Sequence, residues 1–267
     1  MREKTTHGSP PMIHVVGTEG LIAQVNEHWL KKMEYEEGEV IGKSPLDFLP
    51  EGYRESQEGQ DLPALFKDAI ARDLQIGFRK KNGETVALTY NNFPQFDHDK
   101  NFLCSFATLS DNPDAGIMAY DMVLGKGVWS PKACSLLGIT KEMEEVYFAH
   151  HCSRLHKEDL SAFENIFMMP LHSGKTLEQN YRIRGESGDY ISVFWWAQNM
   201  IYRKIVEVKK EEAKEEEQEG KEANEAVNKE GEGREAYELG SESSQEDFRE
   251  EKVIRVLLSS IVRAFPA

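Results

Sequence analysis

DLQIGFRKKNGETVALTYNNF, residues 73–93, carries the clearest structural signal in the chain. Two runs with the composition of β-strands, residues 73–80 and 85–93, flank a short polar segment that contains Asn82-Gly83. Asn-Gly is the strongest short hairpin signal, because both central positions of the matching turn need a positive φ. The stretch therefore predicts two antiparallel strands joined by a tight turn.

The segments before and after this hairpin complete one domain, predicted over residues 12–112. Asn26 is a good N-cap, and Trp29 and Met33 recur behind it at helical spacing. A longer helix is predicted over residues 62–71, and its inner side is expected to carry Leu65, Phe66 and Ile70. The remaining elements are strands at 12–16, 21–25 and 101–109 and a short apolar element at 46–49.

A second copy of this plan follows from residue 115. Ser130 can cap a helix with Pro131 at its first position, as Asn26 caps a helix in the first copy. Tyr181-Arg182 corresponds to Phe78-Arg79 at nearly the same sequence offset, which supports an internal duplication. The other elements predicted here are strands at 118–121, 125–129, 177–184 and 190–205 and a helix at 160–169.

Each copy has two strands, several short helices and a three-strand meander. This order indicates an α+β fold in which helices cover one face of an antiparallel sheet. The first copy contains EGLIAQVN at 19–26, MEY at 33–35, EVIG at 39–42 and FRKKNG at 78–83, and the second contains GVWS at 127–130, LLGI at 136–139, HKEDL at 156–160 and YRIR at 181–184. These segments resemble the PAS family. The resemblance implies two PAS-like domains, each a five-stranded antiparallel sheet covered on one face by short helices.

The last strand of the second copy is missing directly after residue 205. The C-terminal stretch EKVIRVLLSSIVR, at 251–263, has the composition of that strand. We therefore predict a second domain of residues 115–207 plus 253–264, interrupted by an insertion at 208–252. The alternative is a short terminal helix, because Val253, Leu257 and Ile261 also share a helical face.

The predicted insertion is strongly acidic, with 17 Asp or Glu against 8 Lys or Arg in a chain of net charge −15. It holds too little apolar surface to offset the entropy of ordering it, and a solvating linker is favoured over an interaction tail. The acidic balance argues against nucleic-acid and membrane-surface binding. Residues 1–11 are polar and predicted to be flexible. Three free cysteines and no apolar span predict a cytoplasmic protein.

The PAS resemblance implies a cavity between sheet and helices in each domain. In the first domain the lining is expected to come from Trp29, Met33, Phe48, Phe66, Tyr90 and Phe102. In the second domain it is expected to come from Leu137, Phe148, Phe163, Phe167, Tyr181 and Trp195. The alternative is a packed core without room for a ligand, since apolar residues at such spacings are more often core than pocket.

No cofactor is identified by the sequence. None of the three cysteines has the neighbours of the flavin-binding cysteine in light-sensing PAS domains, and Cys104 is expected to be buried on the strand face that also carries Phe102 and Phe106. His151, Cys152 and His156 are weak candidates for metal ligands, because Cys152 and His156 would share one face of a helix. We predict no metal, because the segment is short and no second ligand cluster accompanies it.

The sequence predicts a sensor or interaction protein and not an enzyme. It has no phosphate-binding loop, dinucleotide fingerprint or hydrolase elbow, and the kinase and cyclase signatures are absent. By resemblance, a small ligand or a partner shifts the conformation of one domain, and a homodimer or a separate kinase carries the output. The alternatives are an input fragment or relative of a sensor histidine kinase and a structural dimerisation module without ligand.

Overall fold

The computed structural model describes residues 9–53, 62–139, 146–168, 175–207 and 249–263. The chain forms two compact units. The larger unit comprises Met1–Tyr202 and Ile254–Ala267 and holds the first predicted domain and most of the second. The smaller unit, Arg203–Val253, includes the last residues of one described strand and the first residues of the next. Within the described part of the chain, no helix is long and apolar enough to cross a membrane.

The first domain is built on a five-stranded antiparallel sheet with the order β2-β1-β5-β4-β3. Its strands are β1 (Met12–Val16), β2 (Ile22–Val25), β3 (Ala71–Arg79), β4 (Thr85–Phe96) and β5 (Phe102–Ser110). The hairpin predicted from residues 73–93 is present, with Arg79 paired to Thr85 and Gly83 at a φ of 90°. Glycine suits this turn because it adopts a positive φ without steric cost.

Short helices cover one face of this sheet. They are α1 (Glu27–Met33), α2 (Glu37–Val40), a 3-10 helix (Pro45–Phe48) and α3 (Leu62–Lys67). The Asn26 side chain caps α1 by accepting a hydrogen bond from the Trp29 amide, as predicted. The helix predicted over 62–71 is shorter than expected, because β3 already starts at Ala71. Ile70 therefore lies outside the helix and is 60% exposed, so its predicted inward placement is wrong.

The second domain has a six-stranded sheet with the order β8-β7-β6-β11-β10-β9. The strands are β6 (Gly116–Asp121), β7 (Lys126–Trp129), β8 (Val146–Tyr147), β9 (Thr176–Arg184), β10 (Tyr190–Glu207) and β11 (Arg249–Arg263). The helices are α4 (Pro131–Leu136), α5 (Phe148–Arg154) and α6 (Lys157–Met168). The sheet has one strand more than the five expected, because the two-residue strand β8 pairs with β7.

The C-terminal stretch is a strand and not a helix. Strand β11 pairs antiparallel with β6, with Leu257 opposite Tyr120, and its other neighbour is β10. β11 therefore lies inside the sheet and completes the second domain. The predicted insertion falls between β10 and β11, and its residues 208–248 lie outside the described residues.

The three largest of four buried clusters among the described residues hold the larger unit together. The first-domain core lies between the first sheet and its helices, and the second-domain core lies between the second sheet and its helices. The third, which we call the inter-sheet cluster, joins the other faces of the two sheets. It includes Ile13, Val15, Phe106, Ile117, Val256 and Leu258. Each sheet is thus covered by helices on one side and by the other domain on the other side.

Candidate functional site

The first-domain core gathers five of the six side chains predicted to line a pocket in this domain. Trp29, Met33, Phe48, Phe66 and Tyr90 are all buried in it. The Trp29 and Phe48 rings meet edge to face with centroids 5.2 Å apart, and Phe66 meets Tyr90 at 4.9 Å. Such edge-to-face pairs hold aromatic side chains in defined positions. That these five residues line a ligand site stays a prediction.

Phe102, the sixth predicted residue, lies apart from this core. The register between β4 and β5 shifts next to the pair Phe96–Phe102 and leaves Leu103 as an extra residue. Such a bulge breaks the alternation of side chains along the strand. Cys104 and Phe106 are therefore buried together in the inter-sheet cluster, whereas Phe102 contacts Phe96 at the end of the sheet. The expectation that Cys104 and Phe102 share a face is wrong for this reason.

Four polar side chains lie on the helix-covered side of the central strands, and we call them the polar floor. They are His14, Tyr90, Asn92 and Ser105, and all four are fully buried. His14 and Asn92 both pair with Ala107, so the three side chains form one row across β1, β5 and β4. Because the Ala107 side chain is small, it fills less of the space between the His14 and Asn92 side chains than a larger residue would. The His14 and Tyr90 rings are 6.2 Å apart.

The polar floor carries buried atoms without hydrogen-bond partners among the described residues. These atoms are both ring nitrogens of His14, the Tyr90 hydroxyl, Asn92 Oδ1, Ser105 Oγ and, above the floor, Trp29 Nε1. Leaving a buried polar group unpaired costs about 1–3 kcal/mol, so native proteins rarely accumulate such atoms in one place. A molecule bound against the floor would pair with them.

The groups of the polar floor are electrically neutral. Burial lowers the pKa of His14 to about 3, so its imidazole is uncharged near neutral pH and offers one donor and one acceptor. Burial also raises the pKa of the Tyr90 phenol, which keeps its proton. The floor therefore provides several donors and acceptors but no charge to balance an ion.

Asn92 connects the polar floor to α3. Its Nδ2 atom donates to the carbonyl oxygens of Leu65 and Ala69 at 3.1 and 2.9 Å, with a longer contact to that of Lys67. The side chain thus binds the unpaired carbonyls at the end of this short helix, while its Oδ1 atom stays unpaired. A ligand that contacts Oδ1 would act on the position of α3.

The polar floor was missed by the sequence analysis. His14, Asn92 and Ser105 stand in segments that were assigned only as strands. The period of two could have placed His14 on the same face as Met12 and Val16, since alternate residues of a strand point to one side. No sequence signal indicates which of these polar residues would be left without partners.

The second-domain core holds the four predicted lining residues whose side chains are described. Leu137, Phe163, Tyr181 and Trp195 are buried there, and Phe163 lies between Tyr181 and Trp195 with ring centroids 5.4 and 5.1 Å away. Phe148 begins α5 and Phe167 lies in α6, but their side chains fall outside the part that the structure describes. The role of this set as a ligand lining also stays a prediction.

A closed hydrogen-bond chain runs through the second-domain core. The Trp129 indole donates to the Tyr120 hydroxyl, which in turn lies 2.8 Å from His151 Nδ1. His151 Nε2 lies 3.4 Å from the Tyr181 hydroxyl. Burial lowers the pKa of His151 to about 3, so the ring is neutral, with one nitrogen that donates and one that accepts. The histidine and the two tyrosines of this core therefore pair with one another, in contrast to the groups of the polar floor, whereas Trp195 Nε1 has no partner among the described residues.

The three candidate metal ligands are not brought together. His151 is buried and engaged with Tyr120 and Tyr181, and α5 ends at Arg154, so Cys152 and His156 do not share a helix face. The His156 ring instead packs against Tyr190. Among the described residues, no group of three or more His, Cys, Asp or Glu side chains could hold a metal ion.

The HKEDL and YRIR segments meet in the second domain. The Arg182 guanidinium donates to both carboxylate oxygens of Asp159 at 2.9 and 2.7 Å and to Glu158 at 2.8 Å. The hydrogen bond with Arg182 lowers the pKa of Asp159. This pair ties the start of α6 to β9, so these two segments have a structural role here.

Family comparisons agree with the fold of both domains. The model of a PAS domain matches residues 10–112, and the model of the PAS fold matches residues 127–205. Together they span more than half of the chain. The chain therefore belongs to the PAS family, with two PAS domains in tandem, and PAS domains are signal-sensing and interaction modules.

Solved PAS domains from several organisms resemble parts of this chain. A PAS domain from an HTR-like protein of Haloarcula marismortui is 20% identical with a TM-score of 0.30, over 39% of this chain and 82% of that one. A PAS domain from Colwellia psychrerythraea is 16% identical with a TM-score of 0.34, over 39% and 86%. The PAS domain of the fruit-fly ELK potassium channel is 16% identical with a TM-score of 0.33, over 41% and 90%. Comparison with the curated proteins gave no match.

Proposed function

We propose that this protein is a sensor that binds a small, uncharged molecule in the interior of its first PAS domain. The observation that carries the proposal is the contrast between the two cores. Six buried polar atoms of the first-domain core lack partners among the described residues, whereas the second-domain core closes its histidine and tyrosine groups into one chain.

The chemistry of the polar floor supports a flat molecule with both donors and acceptors. Neutral groups of His14, Tyr90, Asn92 and Ser105 face a wall of aromatic side chains, which suits a heterocycle that is polar at its edge and apolar on its faces. A charged ligand is disfavoured because a buried ion needs an opposite charge nearby. In this proposal the second PAS domain is a packed structural partner.

We further propose that the protein is not an enzyme and acts in trans on a signalling partner, such as a separate kinase. Binding would shift the population of conformers of the first domain, and the partner would recognise one of them. The inter-sheet cluster occupies one face of each sheet, so output through a homodimer or a partner would use the helix-bearing surfaces. A cytoplasmic location is part of the same proposal.

Native mass spectrometry of freshly purified full-length protein, with an absorption spectrum, tests the binding proposal. We expect a retained small molecule, or an increase in melting temperature with uncharged heterocycles such as nicotinamide or indole, since a ligand stabilises the state that it binds. His14→Leu should abolish either signal. Trp195→Phe is the control, because it removes the unpaired buried indole N–H of Trp195 in the second domain. This variant should leave the signal unchanged. Loss of the signal in Trp195→Phe alone would move the site to the second domain.

A further inference from the structure

The side chain of Asn26 makes hydrogen bonds in both PAS domains. It is buried at the start of α1, and its Oδ1 atom accepts from the amides of Ile13 and Trp29 at 2.9 and 3.0 Å. Its Nδ2 atom donates to the Pro11 carbonyl oxygen at 3.0 Å and to Gln198 Oε1 at 2.8 Å. Gln198 is a buried residue of β10 in the second domain. These four bonds fill the capacity of the amide.

The first two bonds position the walls of the proposed ligand site. Ile13 directly precedes His14 of the polar floor, and Trp29 belongs to the aromatic wall above it. A ligand that changes the distance between β1 and α1 therefore moves at least one of the two amides bound by Asn26. Because the side chain is buried, it cannot exchange a lost partner for bulk water.

The internal duplication shows which part of Asn26 is needed for capping. Ser130 occupies the same position in the second domain, where its hydroxyl accepts from the amides of Ile117 and Ala133 at 3.1 and 3.3 Å. A serine thus makes both of the bonds that Asn26 makes through Oδ1. The Nδ2 group is additional to the cap and connects to Pro11 and, in the second domain, to Gln198.

We propose that the bond from Asn26 to Gln198 transmits the state of the first-domain ligand site to the second PAS domain. This inference rests on the proposed function, because it concerns how occupancy of that site is passed on. Gln198 lies opposite Thr176 of β9 and three residues after Trp195 of the second-domain core. A shift of Asn26 therefore reaches β10, which lies between β11 and the edge strand β9 of the second sheet. The coupling is reciprocal, so a change at Gln198 must also alter the first domain.

Hydrogen–deuterium exchange on the ligand-free full chain tests this coupling in both directions. Asn26→Ser keeps the cap, as Ser130 demonstrates, and removes the link from the first domain. Gln198→Met keeps the chain length and removes the acceptor from the second domain. We expect Gln198→Met to accelerate exchange of α1 amides about tenfold, and Asn26→Ser to accelerate exchange in β10 by a similar factor. The double variant should add little to the β10 effect of Asn26→Ser, since both substitutions break the bond between Asn26 and Gln198, and Asn26→Ser removes in addition only the bond to Pro11.

Asp73→Gly provides the matched control. The Asp73 side chain also links the two domains, because it accepts a hydrogen bond from the Lys132 amide at 2.7 Å, and its φ of 50° suits glycine. This variant should accelerate exchange at α4 and leave α1 unchanged. Effects of Gln198→Met that stay within β9 and β10, or an α1 effect in Asp73→Gly of equal size, would overturn the inference. Because no ligand is used, this result is independent of whether native mass spectrometry finds one.

Discussion

Two tyrosine-to-phenylalanine substitutions should have opposite effects on stability, although both tyrosines are buried in the core of a PAS domain. The Tyr90 hydroxyl belongs to the polar floor and has no partner among the described residues. The Tyr120 hydroxyl accepts from Trp129 and is hydrogen-bonded to His151 Nδ1. Each substitution removes one oxygen atom from a fully buried ring, so the difference between the variants reports on the hydrogen bonds.

The magnitudes follow from the cost of unpaired buried groups. Tyr120→Phe leaves the Trp129 indole N–H and His151 Nδ1 without their partner, at about 1–3 kcal/mol for each group. We expect a loss of about 2–4 kcal/mol in the free energy of unfolding, since neighbouring effects do not add fully. Tyr90→Phe removes a hydroxyl that was desolvated without compensation, and we expect a gain of up to about 1 kcal/mol.

Urea unfolding of ligand-free full-length protein, followed by tryptophan fluorescence, measures both free energies. Thermal unfolding should show the same order, with about 2–4 °C in melting temperature for each kcal/mol in a chain of this size. If Tyr90→Phe destabilises the ligand-free protein as much as Tyr120→Phe does, the Tyr90 hydroxyl has a strong internal partner. The polar floor would then not be a ligand site.

Three further predictions concern other parts of the chain. Asp159→Asn should lower stability at neutral pH, and its difference from wild type should vanish in acid. Because Arg182 lowers the pKa of Asp159, the stabilisation is present above the unfolded-state pKa and is lost as the pH falls through the folded-state pKa. Urea unfolding of both proteins across pH tests this, and a difference in stability that does not change with pH would contradict it. Cleavage at a protease site engineered into residues 208–248 should leave two fragments that co-elute in native gel filtration, because β11 has a strand on each side. Release of the C-terminal fragment would refute this prediction. Gly127→Ala should prevent folding, since the added Cβ would lie 2.1 Å from the backbone oxygen of Ala119. Gly38→Ala is the control, because a Cβ at Gly38 would meet open space, and circular dichroism should show that this variant folds normally.

The elements that the sequence analysis predicted well depend on local signals. The Asn82-Gly83 turn, the cap at Asn26 and the Ser130-Pro131 helix start are all determined by neighbouring residues, and the structure has each of them. The composition of residues 251–263 favoured a strand, but only pairing with β6 decides against a helix. Local patterns of this kind identify elements more reliably than their exact ends.

The features that the sequence analysis missed depend on contacts between distant residues. The bulge at Leu103 takes Phe102 off the strand face that carries Cys104 and Phe106, and it arises from the register between β4 and β5. The unpaired state of His14 depends on what every neighbouring element places near its ring. Burial of Ile13 and Val15 in the inter-sheet cluster likewise requires the second domain, which a strand pattern alone does not reveal.

The position of β11 affects how the protein folds during synthesis. A ribosome completes the five strands of the first sheet by residue 110, but it must reach residue 263 before the second sheet can be closed. At about 5–20 residues per second, the first domain waits on the order of 10 s for its partner sheet. During this interval the apolar face that carries Ile13, Val15 and Phe106 lacks the side chains of β11 that pack in the same cluster in the folded chain.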